Sequence, residues 1–145
     1  MTAKEYLSEI AKIDRRISSK LELRQEYWEK ATRATSCLPL SPKKKRSKVS
    51  RIEKFAVYIA DLDNEINREL DEMLNRRREA KRVIESIPDH RYRDILEMRY
   101  LHGTKWKRIM ADMHYASASV FRLHGKALQA FDKMRVNNSD VLHIL

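Results

Sequence analysis

Residues 87–131 read IPDHRYRDILEMRYLHGTKWKRIMADMHYASASVFRLHGKALQAF. Ile95, Leu96, Met98 and Leu101 recur at helical spacing and predict one helix. Pro88 stands where that helix would open, because the first turn needs no amide hydrogen from it. Gly103 stands where it would end, since glycine takes the left-handed conformation at little cost. Trp106, Ile109, Met110 and Met113 define a second helix, and a tight corner is expected at His114-Tyr115. Val120, Leu123, Ala127, Leu128 and Phe131 share one face of a third. Short helices joined through such a corner predict a helix-turn-helix over residues 88–135, the arrangement that lays a helix in a DNA major groove.

The same stretch resembles region 4 of bacterial sigma-70-type factors, whose pattern is a proline-led helix, "LRY..G", then "..IA..LGIS..TV..RL..AL". Here the pattern stands as Met98-Arg99-Tyr100, Gly103, Ile109, Met113-His114-Tyr115-Ala116, Ser119-Val120, Leu123 and Ala127-Leu128. RYLHGTKWKRIMADMHYASASVFRLHGKAL is closer still to a family of small prophage proteins of Gram-positive bacteria. That sigma-region-4-like family is akin to the ArpU-type late-transcription regulators of phages, and places a helical half before the motif. The resemblance implies a phage or prophage transcription regulator with double-stranded DNA as partner, RNA polymerase as a possible second partner, and a nucleoid-associated place in the bacterial cytoplasm.

A recognition helix needs apolar residues inward, short or hydrogen-bonding side chains toward base edges, and cations toward phosphates. Val120 and Leu123 match the inward positions of the sigma pattern. Ser117, Ala118, Phe121 and Arg122 fall at or beside its base-reading positions. Arg122 could donate to a guanine, and Phe121 or Ala118 could pack on a thymine methyl. The plainer alternatives are packing against the upstream helices for Phe121, and a phosphate contact or a solvated position for Arg122. Lys105, Lys107 and Arg108 open the first helix of the motif, and Lys126 matches a DNA-facing lysine of the sigma pattern. These four are candidate phosphate ligands, with plain surface charge as the alternative. Gly125 in mid-helix costs about 1 kcal/mol relative to alanine, which close approach of another backbone or of DNA would explain.

Three residues depart from the sigma pattern. Met110 replaces an alanine and demands room between helices, and His114 replaces a glycine. Histidine is among the residues enriched at positive φ, so the corner can still form. Ala116 replaces a serine or threonine, which leaves Ser117 to cap the third helix one residue later and would rotate the base-reading face.

Outward from this stretch, the 145 residues carry only two glycines and three prolines, so long helices are expected and a sheet is not. Helix 1 is expected from Thr2 to Ala34, with Thr2 and Glu5 as a capping box. Its stripe is Tyr6, Ile10, Ile13, Ile17, Leu21 and Trp28, widened by Leu23 and Tyr27. Helix 2 is expected from Ser50, boxed by Glu53, to Ile87. Ile52, Phe55, Ile59, Leu62, Ile66, Leu70, Met73, Ala80, Ile84 and Ile87 alternate mostly in threes and fours, as in a coiled coil. Consecutive fours at Leu62-Ile66-Leu70 are a stutter, and Arg77 occupies a seam position as a snorkelling stem or where the partner helix ends. The expected fold is all-α: a long antiparallel helical hairpin over residues 1–87, then the sigma-region-4-like helix-turn-helix. The third helix is expected to fray near Arg135, leaving a tail over 136–145.

The net charge of +10 favours nucleic acid as a partner. Lys43, Lys44, Lys45, Arg46, Lys48 and Arg51 form a run without an acid, inside a proline- and serine-bearing linker expected over 35–50. A solvated basic loop is the bland account, and phosphate contact by Lys43, Lys44, Lys45 and Arg46 is the functional one. PKKKRSKV also looks like a nuclear-localisation signal, which the prophage resemblance disfavours.

Enzymatic chemistry is not expected, since no nucleophile elbow, phosphate-binding glycine loop or paired catalytic carboxylates stand in the sequence. His90, His102, His114, His124 and His143 show no tight metal-binding pair, and the single Cys37 leaves no internal disulfide or zinc pair, so neither metal nor cofactor is expected. No apolar run is long enough to span a bilayer and no signal peptide is legible, so a cytoplasmic protein is expected. A homodimer is expected, because helix-turn-helix units commonly work in pairs. Two alternatives stay open: a DNA-packaging adaptor resembling small terminase subunits, and a polymerase-binding protein that does not read DNA.

Overall fold

The computed structural model describes residues 1–36 and 42–144. Five α-helices and no strand are found among the described residues. They are α1 (Ala3–Ser36), α2 (Pro42–Glu85), α3 (His90–Leu96), α4 (Trp106–Met113) and α5 (Ser117–Ile144), with a π-helical turn, Glu97–Leu101, continuing α3. None of the helices is long and apolar enough to cross a membrane among the described residues.

Local chemistry sets several boundaries. The Glu5 amide donates to Thr2 Oγ1 at 3.2 Å and the Thr2 amide donates to Glu5 Oε2 at 3.1 Å, so α1 begins with the reciprocal box its sequence predicts. The corresponding expectation for Ser50 and Glu53 fails, because α2 begins at Pro42 and both residues lie inside it. Proline suits a first helical position, and lysine and arginine are good helix formers, so the basic run prolongs the helix. The linker expected over 35–50 therefore shrinks at its C-terminal side, and residues 37–41 lie outside the described residues.

The chain divides into two compact units, and both α1 and α2 contribute to each. One unit comprises residues 13–72. Within it, Arg16 bonds Glu69 at 3.1 Å, Lys20 reaches Glu65 and Glu69 at 3.4 and 3.1 Å, and Arg24 meets Asp63 at 2.6 Å. Rising numbers on α1 meet falling numbers on α2, so the two segments run antiparallel. Ile13, Ile17, Leu62 and Ile66 are buried between them. The seam then differs from the expected stripe: Lys20 and Arg24 face α2, while Leu21 and Trp28 are 49% and 55% exposed. Alternating threes and fours from Ile17 lead through Lys20 and Arg24 to Tyr27, and the α2 carboxylates neutralise both cations. Glu69 likewise takes the seam position that resolves the stutter at Leu70. Tyr27 packs against Phe55 and Tyr58 with centroids 5.9 and 5.7 Å apart.

The other unit comprises residues 1–12 and 73–145. Its core gathers Leu7, Ile10, Val83, Ile84, Ile87, Ile95, Leu96, Ile109, Val120, Leu123, Ala127 and Phe131, all buried. Leu7 and Val83 were absent from the expected stripes. The division thus falls inside α1 and α2 rather than at Ile87-Pro88, because their terminal turns bury apolar side chains with α3, α4 and α5. The Arg77 guanidinium answers the seam question: its Nη2 donates to the Leu101 carbonyl, capping an orphan acceptor at the end of the π-turn.

Candidate nucleic-acid interface

The segment from α3 to α5 is held by caps that fix its corners. Asp89, not Pro88, opens α3, its carboxylate accepting from the Arg91 amide at 2.9 Å. Gly103 lies at φ +65, as a helix-ending glycine should. His114 lies at φ 58 and ψ 35 and ends α4 in the left-handed region, where the sigma pattern has glycine. The Ala116 carbonyl accepts from the Val120 amide at 3.0 Å, and α5 starts at Ser117. Ala116 therefore keeps the capping position without a capping side chain, and the one-residue shift expected for Ser117 does not occur. Extensive burial of α5 through Val120, Leu123, Ala127 and Phe131 sets its start in place of a cap worth about 1 kcal/mol. The helix also runs beyond Arg135 to Ile144, where fraying was expected. Arg135 donates to the Met1 carbonyl at 2.8 Å and pairs with Asp132 at 2.9 Å, and these contacts outweigh the weak propensity of Asn137-Asn138.

With that phase fixed, the N-terminal half of α5 has two faces. Val120, Leu123 and Ala127 point into the core, and Ser117, Ala118, Ser119, Phe121, Arg122, Gly125 and Lys126 are exposed. Phe121 is 49% exposed and rests one edge on Trp106 of α4, centroids 5.2 Å apart in a T-shaped pair. Its ring contact is with Trp106 of α4. A side chain added at Gly125 would meet nothing within 4 Å. No backbone among the described residues accounts for that glycine, and it leaves a flat patch between Arg122 and Gln129 on an outward helix face.

Lys105, Lys107 and Arg108 are exposed around the start of α4, with Lys105 at its N-cap position. Arg108 faces Asp112 at 3.7 Å, an exposed i,i+4 pair that holds it loosely. Arg46 is exposed within α2, whereas the side chains of Lys43, Lys44 and Lys45 lie outside the described residues. Arg122 and Lys126 line one surface cavity of about 210 Å³ together with Arg91, Tyr115 and Ser119. Three further arginines of this unit are committed internally. Arg77 caps Leu101, Arg93 donates to the Ile87 carbonyl at 2.6 Å, and Arg99 donates to the Thr104 carbonyl at 3.2 Å while stacking 4.6 Å above Trp106.

Residues 40–132 match a family described as "Protein of unknown function (DUF1492)". The chain belongs to the DUF1492 family. No curated protein and no solved structure matches it. The DUF1492 segment takes in α3, α4 and the outward half of α5, with the whole cavity between Arg91 and Lys126.

Two residues of the DUF1492 segment escaped sequence reasoning. Arg91 carries no periodic signal, and only folding brings the start of α3 beside α5. The sequence offers His124 only as a candidate metal ligand, yet it is buried beside Tyr100, whose hydroxyl lies 2.7 Å from Nε2. Trp106 meets the ring edge-on at 4.7 Å. Burial, helped by the cations of Lys4 and Arg99, pushes His124 down to about 4. A neutral ring protonated on Nδ1 lets Nε2 accept from Tyr100, so His124 serves as a packing element that locks α5 onto the π-turn and α4. Its sequence signal is its place four residues after Val120, on the inner side of the same helix. Among the described residues, no three His, Cys, Asp or Glu side chains converge where they could hold a metal ion.

Proposed function

We propose that this protein is a sequence-specific DNA-binding transcription regulator of phage or prophage type. In this reading α4 and α5 are the two helices of a helix-turn-helix, and the first turns of α5 enter the major groove. The observation that carries it is the outward face of α5 after the left-handed corner at His114. Ser117, Ala118, Phe121 and Arg122 stand on that face in an unbroken exposed run with Gly125 and Lys126. Ser117 offers hydrogen bonds to base edges, Arg122 can reach a base edge or a flanking phosphate, and Ala118 and Phe121 offer apolar contact to thymine methyls. Lys105, Lys107 and Arg108 of α4 supply phosphate contacts that set the register. Arg46 and its neighbours Lys43, Lys44 and Lys45 add to the positive field.

The unit formed by residues 13–72 serves as an antiparallel, coiled-coil-like hairpin. Leu21, Trp28, Val57 and Tyr58 on its surface are each about half exposed, and a second copy of the chain is the partner we assign to them. The likeness to sigma region 4 extends the proposal to contact with RNA polymerase. No enzymatic step is assigned.

Footprinting of the purified protein on DNA from its own genomic neighbourhood tests the proposal. A protected site is expected, with an affinity that falls steeply as salt rises, by about 0.9 log units per tenfold salt for each phosphate neutralised. Failure to protect any site, or an affinity indifferent to salt, would refute it. A ring of many subunits in solution would instead favour the packaging-adaptor account.

A further inference from the structure

The surface cavity between α3 and α5 has a composition unlike its surroundings. Arg91 comes from the first turn of α3, Tyr115 from the corner after α4, and Ser119, Arg122 and Lys126 from α5. Tyr92 and the buried Leu123 complete its lining. Three cations and three hydroxyl-bearing side chains thus line one small space, and no acid lines it. Among the described residues, neither Arg122 nor Lys126 forms an ion pair, so their charges remain available to a ligand.

Arg91 is the exception, because Asp89 holds it. Its Nη2 lies 3.0 Å from Asp89 Oδ2, and Nε lies 3.3 Å from Oδ1. Asp89 is itself held below the usual carboxylate range by Arg91, whose side chain and amide both donate to it. A guanidinium has five N–H donors; two engage Asp89 and the side chain also bonds Tyr115, so the fork is not exhausted. Asp89 orients the fork without exhausting it.

A second cavity shares Arg91 and Tyr115 but has the opposite character. Asp94, Glu97 and Asp112 line it, with His90 and His102. An anion approaching this part of the molecule is repelled on the acidic side and drawn to the side of Arg122 and Lys126. That polarity argues for a built anion site over a general basic surface. Two arginines and a lysine with hydroxyl donors suit a tetrahedral, multiply bonded oxyanion, which arginine forks and ammonium groups both bind well.

We propose that the cavity bounded by Arg91, Tyr115, Ser119, Arg122 and Lys126 binds a single phosphate group, and that its occupant is one backbone phosphate of duplex DNA. The second half of this statement rests on the DNA-binding reading, and the first half does not. Arg91 thereby becomes a contact contributed from outside the two helices that enter and straddle the groove. Arg122 becomes a phosphate ligand rather than a base reader. The phosphate is anchored on the flank of α5 while Ser117, Ala118 and Phe121 are left to the bases.

The test uses the full chain, a labelled random-sequence duplex and the variants Arg91→Gln, Arg122→Gln and Lys126→Gln. These side chains are exposed, and unchanged melting temperatures will confirm that the variants fold. If the three share one phosphate, each variant lowers the salt slope of binding by at most about 0.9, and the triple variant lowers it by no more than that. Independent surface cations would instead add their losses, to about three times that figure, and this outcome overturns the proposal. Wild-type slopes in all variants overturn it too, while leaving DNA binding standing. Asp89→Asn keeps the helix cap but removes the competing charge, and should tighten binding by about two- to fivefold, the range of an exposed ion pair.

A second arm separates the pocket from the DNA reading. Inorganic phosphate is titrated at constant ionic strength against chloride, followed by amide and guanidinium NMR shifts. Shifts confined to Arg91, Ser119, Arg122 and Lys126 and absent in the triple variant support the pocket even if no duplex binds, in which case DNA alone is struck out as the source. The absence of both phosphate-specific shifts and any change in salt slope refutes the pocket outright.

Discussion

Acid should unfold this protein through His124, and the size of the effect follows from its surroundings. The ring is 9% exposed, lies against Tyr100 and Trp106, and sits near the cations of Lys4 and Arg99, so it protonates only near pH 4 in the folded chain. In the unfolded chain it protonates near the ordinary value of about 6.5. The folded value is depressed, so the stabilising contribution of the neutral ring is complete above pH 6.5. It is lost as pH falls toward 4, because there the unfolded chain binds the extra proton. At about 1.36 kcal/mol per unit the whole span is worth about 3 kcal/mol, of which about 2 kcal/mol is lost between pH 7 and pH 5. Carboxylates titrate over part of this range, so the comparison must be with His124→Gln, which keeps a hydrogen-bonding group but cannot ionise. Urea unfolding at pH 7 and pH 5, followed by helical circular dichroism, gives the difference. The wild-type chain should lose about 2 kcal/mol more than the variant across that interval. Parallel losses in the two proteins would show that His124 is not buried in neutral form and would refute the packing role given to it.

Gly125→Ala should raise stability by about 1 kcal/mol, because the helix gains a better former and the added methyl meets nothing within 4 Å. The same variant should weaken duplex binding if Gly125 faces DNA, so thermal melting and anisotropy should move in opposite directions; unchanged affinity removes Gly125 from the interface. Arg77→Met should cost about 1–3 kcal/mol by leaving the Leu101 carbonyl without its donor, measured by denaturant unfolding, and a neutral result would mean that water replaces the guanidinium. Reversal of Lys105, Lys107 and Arg108 to glutamate should abolish duplex binding with little change in melting temperature, since all three are exposed. Retained binding would move the phosphate contacts elsewhere. Thr2→Ala should cost about 1 kcal/mol through the lost cap on α1, read as a fall in the unfolding midpoint.

The helices were legible because their signals are local. Periodic apolar residues, few glycines and a reciprocal Thr2–Glu5 pair act within a turn or two of chain, and α1, α3, α4 and α5 start within a few residues of the expected places. Capping chemistry alone misleads where a helix has no reason to stop. Ser50 and Glu53 have the right spacing, yet Pro42 and the lysines behind it already carry a helix through them.

The face of α5 that turns outward was determined by sequence, since Val120, Leu123 and Ala127 leave only one side free for Ser117, Ala118, Phe121 and Arg122. What that face can bind was decided by tertiary structure. Arg91 is 31 residues from Arg122 in the chain, and no periodicity relates them; packing of α3 on α5 does. Lys20 and Arg24 look like solvent residues until Asp63, Glu65 and Glu69 of α2 come opposite, and the same pairing turns Leu21 and Trp28 outward. The stretch from Ile87 to Phe131 therefore specified its helices and its inner face through contacts a few residues apart. The electrostatics of its outer face arise between elements distant in sequence, where charge acts through space and only the fold sets the distance.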